Sequence, residues 1–183
     1  MKKYDAARTK AALIEAGLRV FEKKGLTEMR VDDVVAEAGV AKGTFYLYFK
    51  DRATYLLGLH RDFHDALRDE ILEKAAKLPH GRERLLMGTT VYLDGCLKKS
   101  GVKAMLFEAR SEPSLRDEVF ARNENFATVV AEDFKAMGWK NPAAAAKLFV
   151  AMAAEAALSE LQAGKKLTPL RAALGDFLTP PGR

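Results

Sequence analysis

A single cysteine, Cys96, excludes an internal disulfide and any zinc site built on clustered thiolates. Its place in an apolar helical stretch argues for an inert core thiol. Of the histidines, His60 and His64 stand at an i, i+4 spacing that can chelate a metal, but no cysteine or third histidine is placed to complete the set. No metal or cofactor is therefore expected. Apolar runs stop short of a membrane span, and Asp5, Glu15 and Glu22 occupy an N-terminal helix in which a signal or transit peptide would carry no acids. The expectation is a soluble, cytoplasmic protein with no membrane partner. Strand patterning, repeats and low-complexity segments are all but missing, the alanine run 143–146 apart. There is no glycine-rich phosphate loop, no nucleophile elbow and no carboxylate pair isolated among apolar residues. Carboxylates are interspersed with Lys and Arg, as on solvated helix faces, so no enzyme is expected.

What the chain does have is helix. Its 183 residues are 49% hydrophobic, enough for a real core. Basic side chains number 30 against 25 acidic, a net charge of only +5, with the excess densest in residues 1–52. The first helix is expected over 6–24, capped by Asp5 and stopped by Gly25, with Ala11, Ile14, Leu18 and Phe21 as its buried stripe. Lys2, Lys3, Arg8 and Lys10 then read either as an arm ahead of that helix or as a solvated terminus. A long helix is expected from the cap Asp51 to about residue 77, burying Tyr55, Leu56, Leu59, Phe63, Leu67 and Ile71. Further helices follow over about 82–99, 102–110, 114–137, 141–162 and 168–177. Pro142 and Pro169 sit at first helical positions behind the caps Asn141 and Thr168.

The most informative stretch is residues 27–52. Val31, Val34, Val35 and Ala38 recur at helical spacing, with Asp32 and Asp33 in the first turn where the helix dipole favours anions. Gly39 ends that helix as a residue at positive φ does. A second helix runs over about 41–49, with Phe45 and Phe49 four apart and pointing inward. Lys42, Gly43, Thr44, Tyr46, Leu47 and Tyr48 are left around the rest of it. A plain solvated surface rarely keeps two tyrosines and a leucine there, whereas a surface that enters a DNA groove does.

The run Val31-Asp32-Asp33-Val34, then Ala38-Gly39-Val40, then Gly43-Thr44-Phe45-Tyr46-Leu47-Tyr48-Phe49, closed by Arg52, resembles the helix-turn-helix of the TetR family of bacterial repressors. The resemblance covers roughly residues 8–58. It implies an all-α fold of about nine helices: a three-helix helix-turn-helix DNA-binding domain over 1–50, then a helical ligand-binding and dimerisation domain over 51–183. It also implies DNA contacts by Thr44, Tyr46, Leu47, Tyr48 and Arg52. Lys42 and the Gly43 backbone add to these at the helix start, where phosphate or base edges would meet N–H groups. Two positions depart from the family pattern. Arg30 stands where a Ser or Thr cap is usual, leaving either Thr27 as the cap or Arg30 as a phosphate contact, and Arg52 replaces a Lys.

For the second domain the resemblance implies an apolar effector site and a dimer. Candidate ligand-lining residues are Met87, Tyr92, Cys96, Met105, Phe107, Phe120, Phe126 and Phe149, since Met and aromatics make adaptable lining. For each of them, plain core is the competing assignment. Small residues from 143 to 161 and the leucines of the last helix suggest an isologous four-helix interface, with Phe149, Met152, Ala153, Ala156, Leu161, Leu170, Leu174 and Phe177 at it, completion of an intramolecular core being the competing assignment. The expected protein is a homodimeric regulator, most simply a repressor of a palindromic double-stranded DNA operator released by a small-molecule effector. The alternative is an all-helical scaffold with a repressor-like headpiece that does not read DNA.

Overall fold

The computed structural model of the chain describes residues 2–98 and 113–179. Among the described residues there are eight helices and no strand. They are α1 (Lys2–Glu28), α2 (Val31–Ala38), α3 (Lys42–Tyr48), α4 (Arg52–Ala75), α5 (Arg82–Lys98), α6 (Pro113–Ala136), α7 (Pro142–Ala163) and α8 (Thr168–Asp176). The helix expected over 102–110 lies outside the described residues.

These residues fall into two compact units, one of 2–65 with 113–118 and one of 66–98 with 119–179. The division between these units lies within α4, after Asp65. The first turns of α4 belong to the headpiece because their apolar side chains complete its core. Tyr55, Leu56 and Leu59 are fully buried, and the Tyr55 hydroxyl donates to the Leu13 carbonyl of α1 at 2.6 Å. Burial pushes the Tyr55 phenol well above its ordinary range, so it stays a neutral donor. Its ring stands edge-on to Phe45 and Phe49, with centroids 5.0 and 4.9 Å apart. Asp51 caps α4 as expected, its Oδ1 accepting the Thr54 N–H at 2.7 Å.

α1 departs from expectation in three ways. It begins at Lys2, so Asp5 lies inside it and does not cap it, and Lys2 and Lys3 are helical. It is interrupted at Gly25 (φ 75, ψ 173), the expected stop, before one more turn to Glu28. Its buried face is Leu13, Ile14, Ala16, Gly17, Val20 and Phe21, whereas Ala11 is exposed and Leu18 half-buried. The stripe is rotated because Gly17 gives α4 a place to approach. A methyl group there would lie 2.0 Å from the Tyr55 hydroxyl oxygen.

In the second unit, α4 packs on α5 where Gly95 leaves room. A Cβ at 95 would lie 2.5 Å from Leu67 Cδ1. Phe134 of α6 meets Phe149 of α7 and Trp139 beyond α6, with centroids 5.8 and 5.4 Å apart. Two buried carboxylates hold this unit's polar joints. Asp133 accepts the Gly81 N–H at 2.9 Å and Arg84 Nη1 at 2.6 Å, which ties the α4–α5 turn to α6. Glu160 of α7 takes Arg171 of α8 in a fork, Nε and Nη2 each at 2.6 Å, and accepts the Leu167 N–H at 2.8 Å. Leu167, not Thr168, is the N-cap of α8: its carbonyl accepts the Leu170 and Arg171 N–H groups, and its own N–H is taken by Glu160. Arg171 Nη1 continues to Asp94 of α5 at 2.7 Å. Carboxylates expected on solvated faces are thus buried at 133 and 160, and the reason is that each has a guanidinium within hydrogen-bond reach.

Candidate nucleic-acid interface

α2 and α3 are set by backbone chemistry at their ends. Arg30 is the N-cap of α2 in extended conformation, and Asp33 returns its carboxylate to the Arg30 N–H at 3.1 Å. The guanidinium has donors only and cannot accept from the helix. Thr27 is not the cap, since it lies within the last turn of α1. At the far end Gly39 adopts φ 67, its N–H bonds the Ala36 carbonyl at 3.2 Å, and the Val40 N–H bonds Val35 at 3.0 Å. This paired closure needs a left-handed residue. Gly39→Ala should lose about 1 kcal/mol in a urea titration although nothing lies within 4 Å of the added methyl. An unchanged midpoint would show that the turn relaxes freely.

α2 is held on α1 by exposed ion pairs: Arg19 and Lys23 to Glu37 at 2.7 and 3.0 Å, and Lys24 to Asp33 at 2.6 Å. Those bonds, Arg19 first for Glu37 and Lys24 first for Asp33, hold both carboxyls below their ordinary values. Three of the headpiece's basic side chains are therefore committed to its own framework.

Phe45 and Phe49 anchor α3 in the core, as their spacing implies. The opposite side is bare. Arg30, Lys42 and Gly43 are exposed, Tyr46 is 49% and Leu47 82% accessible, and Thr44 and Tyr48 are half-buried. A Cβ at Gly43 would meet nothing within 4 Å, so the backbone there is open to close approach. Arg52 is half-buried, and its Nε donates to the Met29 carbonyl at 3.1 Å, so it secures the α1–α2 corner to the start of α4. All eight expected DNA-contact residues lie in the first unit. Missed from sequence were Met29, whose buried side chain fills that corner, and Asp32, whose carboxylate lies 2.7 Å from Lys42 Nζ. The paired Asp32-Asp33 is the signal that could have shown it. Neighbours on a helix diverge by about 100°, so one turns toward α1 and the other toward α3.

Residues 13–56 match the family model described as bacterial regulatory proteins, tetR family. This stretch is similar to the DNA-binding segment of the TetR family. The fatty acid metabolism regulator protein of Bacillus subtilis is 34% identical over 67 residues, which cover 34% of each chain. The match thus spans about a third of that relative's length. Among solved structures, the fatty acid degradation regulator FadR of Bacillus halodurans superposes with a TM-score of 0.80 at 17% identity, covering 96% of both chains. FadR of Bacillus subtilis in complex with stearoyl-CoA gives 0.78 at 19% identity, over 94% of this chain and 99% of that one. At such identities the likeness is one of fold.

The expected effector residues are scattered in exposure. Phe120 is 66% and Met87 41% accessible, Tyr92 and Phe126 are half-buried, and Cys96 and Phe149 are buried. Phe149 belongs to the aromatic cluster with Phe134. Met105 and Phe107 lie outside the described residues. Of the expected dimer residues, Phe149, Ala153, Ala156, Leu161 and Leu174 are covered within the single chain, Met152 and Leu170 are half-buried, and Phe177 is exposed. Together with Phe177, which follows α8, the outer faces of α7 and α8 carry Leu148, Ala151, Ala172 and Ala173. His60 is buried with its ring 4.4 Å from that of His64, and among the described residues no three His, Cys, Asp or Glu side chains are grouped to hold a metal. No helix among them is long and apolar enough to cross a membrane.

Proposed function

We propose that this chain is a DNA-binding transcriptional regulator, a cytoplasmic homodimer that represses from a palindromic operator and performs no catalytic step. The observation that carries the reading is the division of this segment: phenylalanines locked inward at 45 and 49, and Lys42, Gly43, Tyr46 and Leu47 standing outward on an exposed surface, Tyr46 meeting the core in an edge contact with the Phe45 ring. An apolar side chain as exposed as Leu47 fits contact with a thymine methyl, and the tyrosines can donate to phosphate while their rings rest on sugars. Two copies would place two such helices in successive major grooves. The outer faces of α7 and α8, with Leu148 and the adjoining Phe177, offer apolar surface for pairing.

A small apolar effector completes the reading. The stearoyl-CoA bound by FadR of Bacillus subtilis supports an acyl-chain ligand for this chain too. Such a ligand would act by population shift, favouring a state in which the two headpieces no longer match groove spacing.

Selection from a random duplex library tests the DNA reading. Enrichment of a palindrome with half-sites about one helical turn apart, lost in Thr44→Ala/Tyr48→Ala, is the expected result. Weak binding blind to sequence and abolished by moderate salt would leave only phosphate attraction and favour a scaffold role. Addition of a long-chain acyl-CoA should release the selected duplex; no release at saturating ligand would remove the acyl class.

A further inference from the structure

We propose that Asp32 is an autoinhibitory counter-charge: it holds the ammonium of Lys42 in the free protein and competes with DNA phosphate for it. The inference rests on the DNA-binding reading and goes beyond it. Lys42 opens α3 on the same side as Tyr46 one turn on, within the exposed surface described above, and Asp32 Oδ1 lies 2.7 Å from its Nζ. Both side chains are more than half exposed, so the pair has no role in filling the core. The neighbouring carboxylates Asp33 and Glu37 are turned to Lys24, Arg19 and Lys23 on α1. Asp32 alone of these three acids places its charge against a residue of α3.

The consequence follows from ion balance. A lysine that neutralises one phosphate releases about 0.9 of a condensed counterion. If that lysine must first leave a carboxylate, the carboxylate takes up a cation from solution, and the net release is cut. If it does not leave, the carboxylate stays close to the phosphate and repels it. In both cases contact with any duplex is weakened, and the loss does not depend on base sequence. Asp32 therefore lowers the background of non-specific binding and flattens its salt dependence.

The test measures binding of the full chain to one arbitrary duplex across a salt series. Asp32→Asn keeps the shape and removes the charge. It should tighten binding about two- to fivefold and steepen the slope of log K against log salt by up to about 0.9. In a Lys42→Met background the same change should do less, since only the carboxylate's repulsion of phosphate is then relieved. Glu37→Gln, which removes an equal charge beside α1, should leave the slope near that of wild type. Equal steepening by Asp32→Asn and Glu37→Gln would reduce the effect to net charge and overturn the proposal, as would an unchanged slope in Asp32→Asn. Failure of wild type and Asp32→Asn alike to bind any duplex at low salt would overturn the DNA-binding reading with it, so the two failures are distinct.

Discussion

Gly17→Ala should destabilise the headpiece unit by about 3 kcal/mol, at the upper end of what one added methyl costs in a packed interior. The new Cβ would sit 2.0 Å from the Tyr55 hydroxyl oxygen, 2.9 Å from Cζ and 3.0 Å from Leu59 Cδ2. Tyr55 has nowhere to retreat. Its ring is wedged between Phe45 and Phe49, and its hydroxyl is bonded to Leu13. Relief requires α4 to move off α1, which exposes Leu56 and Leu59 as well. Tyr55→Phe alone should lose about 1 kcal/mol with the hydrogen bond. In Gly17→Ala/Tyr55→Phe the nearest clash is gone, so the double change should cost less than the sum of the single ones. Urea denaturation of the three variants gives the comparison. Strict additivity would mean that the backbone at residue 17 absorbs the methyl without involving Tyr55.

The second large effect is expected at Arg171. Arg171→Met should destabilise the second unit by about 3 kcal/mol, because it leaves the fully buried Glu160 carboxylate with only the Leu167 N–H. Glu160→Gln/Arg171→Met should recover much of that loss, since no ion then remains buried. The pair also fixes the response to acid. Burial pushes the Glu160 carboxyl up, but the Arg171 fork and the Leu167 N–H outweigh it and hold the group below its ordinary value of 4.5. A carboxyl depressed in the folded state stabilises fully above its unfolded pKa, and that contribution fades as pH falls through the lower folded value. Stability of the wild type should therefore drop below about pH 4.5, and Glu160→Gln/Arg171→Met should lack that component. A loss under about 1 kcal/mol in Arg171→Met would indicate that water reaches the carboxylate.

Both effects were invisible in the sequence, for the same reason. The helix-turn-helix was legible because its determinants are local: valines at helical spacing, Gly39 at the one left-handed position, Phe45 and Phe49 four apart. The inner stripe of α4 was legible because a single period ran through Tyr55, Leu59, Phe63, Leu67 and Ile71. The notch at Gly17 depends on a tyrosine 42 residues from its acceptor Leu13, and a glycine inside a helix otherwise reads only as a weak helix former. Glu160 and Arg171 stand 11 apart on different helices, and Asp94 and Arg171 are separated by 77. Charge alternating along a sequence looks solvated until two helices bring opposite signs together. The same holds for α1, whose buried face was assigned from apolar residues alone. Gly17, small and uninformative in a hydropathy pattern, is where Tyr55 and Leu59 of α4 come close.

The chain has one tryptophan, and Trp139 packs edge-on against Phe134 in the second unit. Light absorbed by indole therefore reports on that unit, while the headpiece contributes only tyrosine emission. Circular dichroism sums helix from both. One optical signal follows the second unit and the other both, so a denaturation profile that separates between them assigns the weaker half directly, with no label attached.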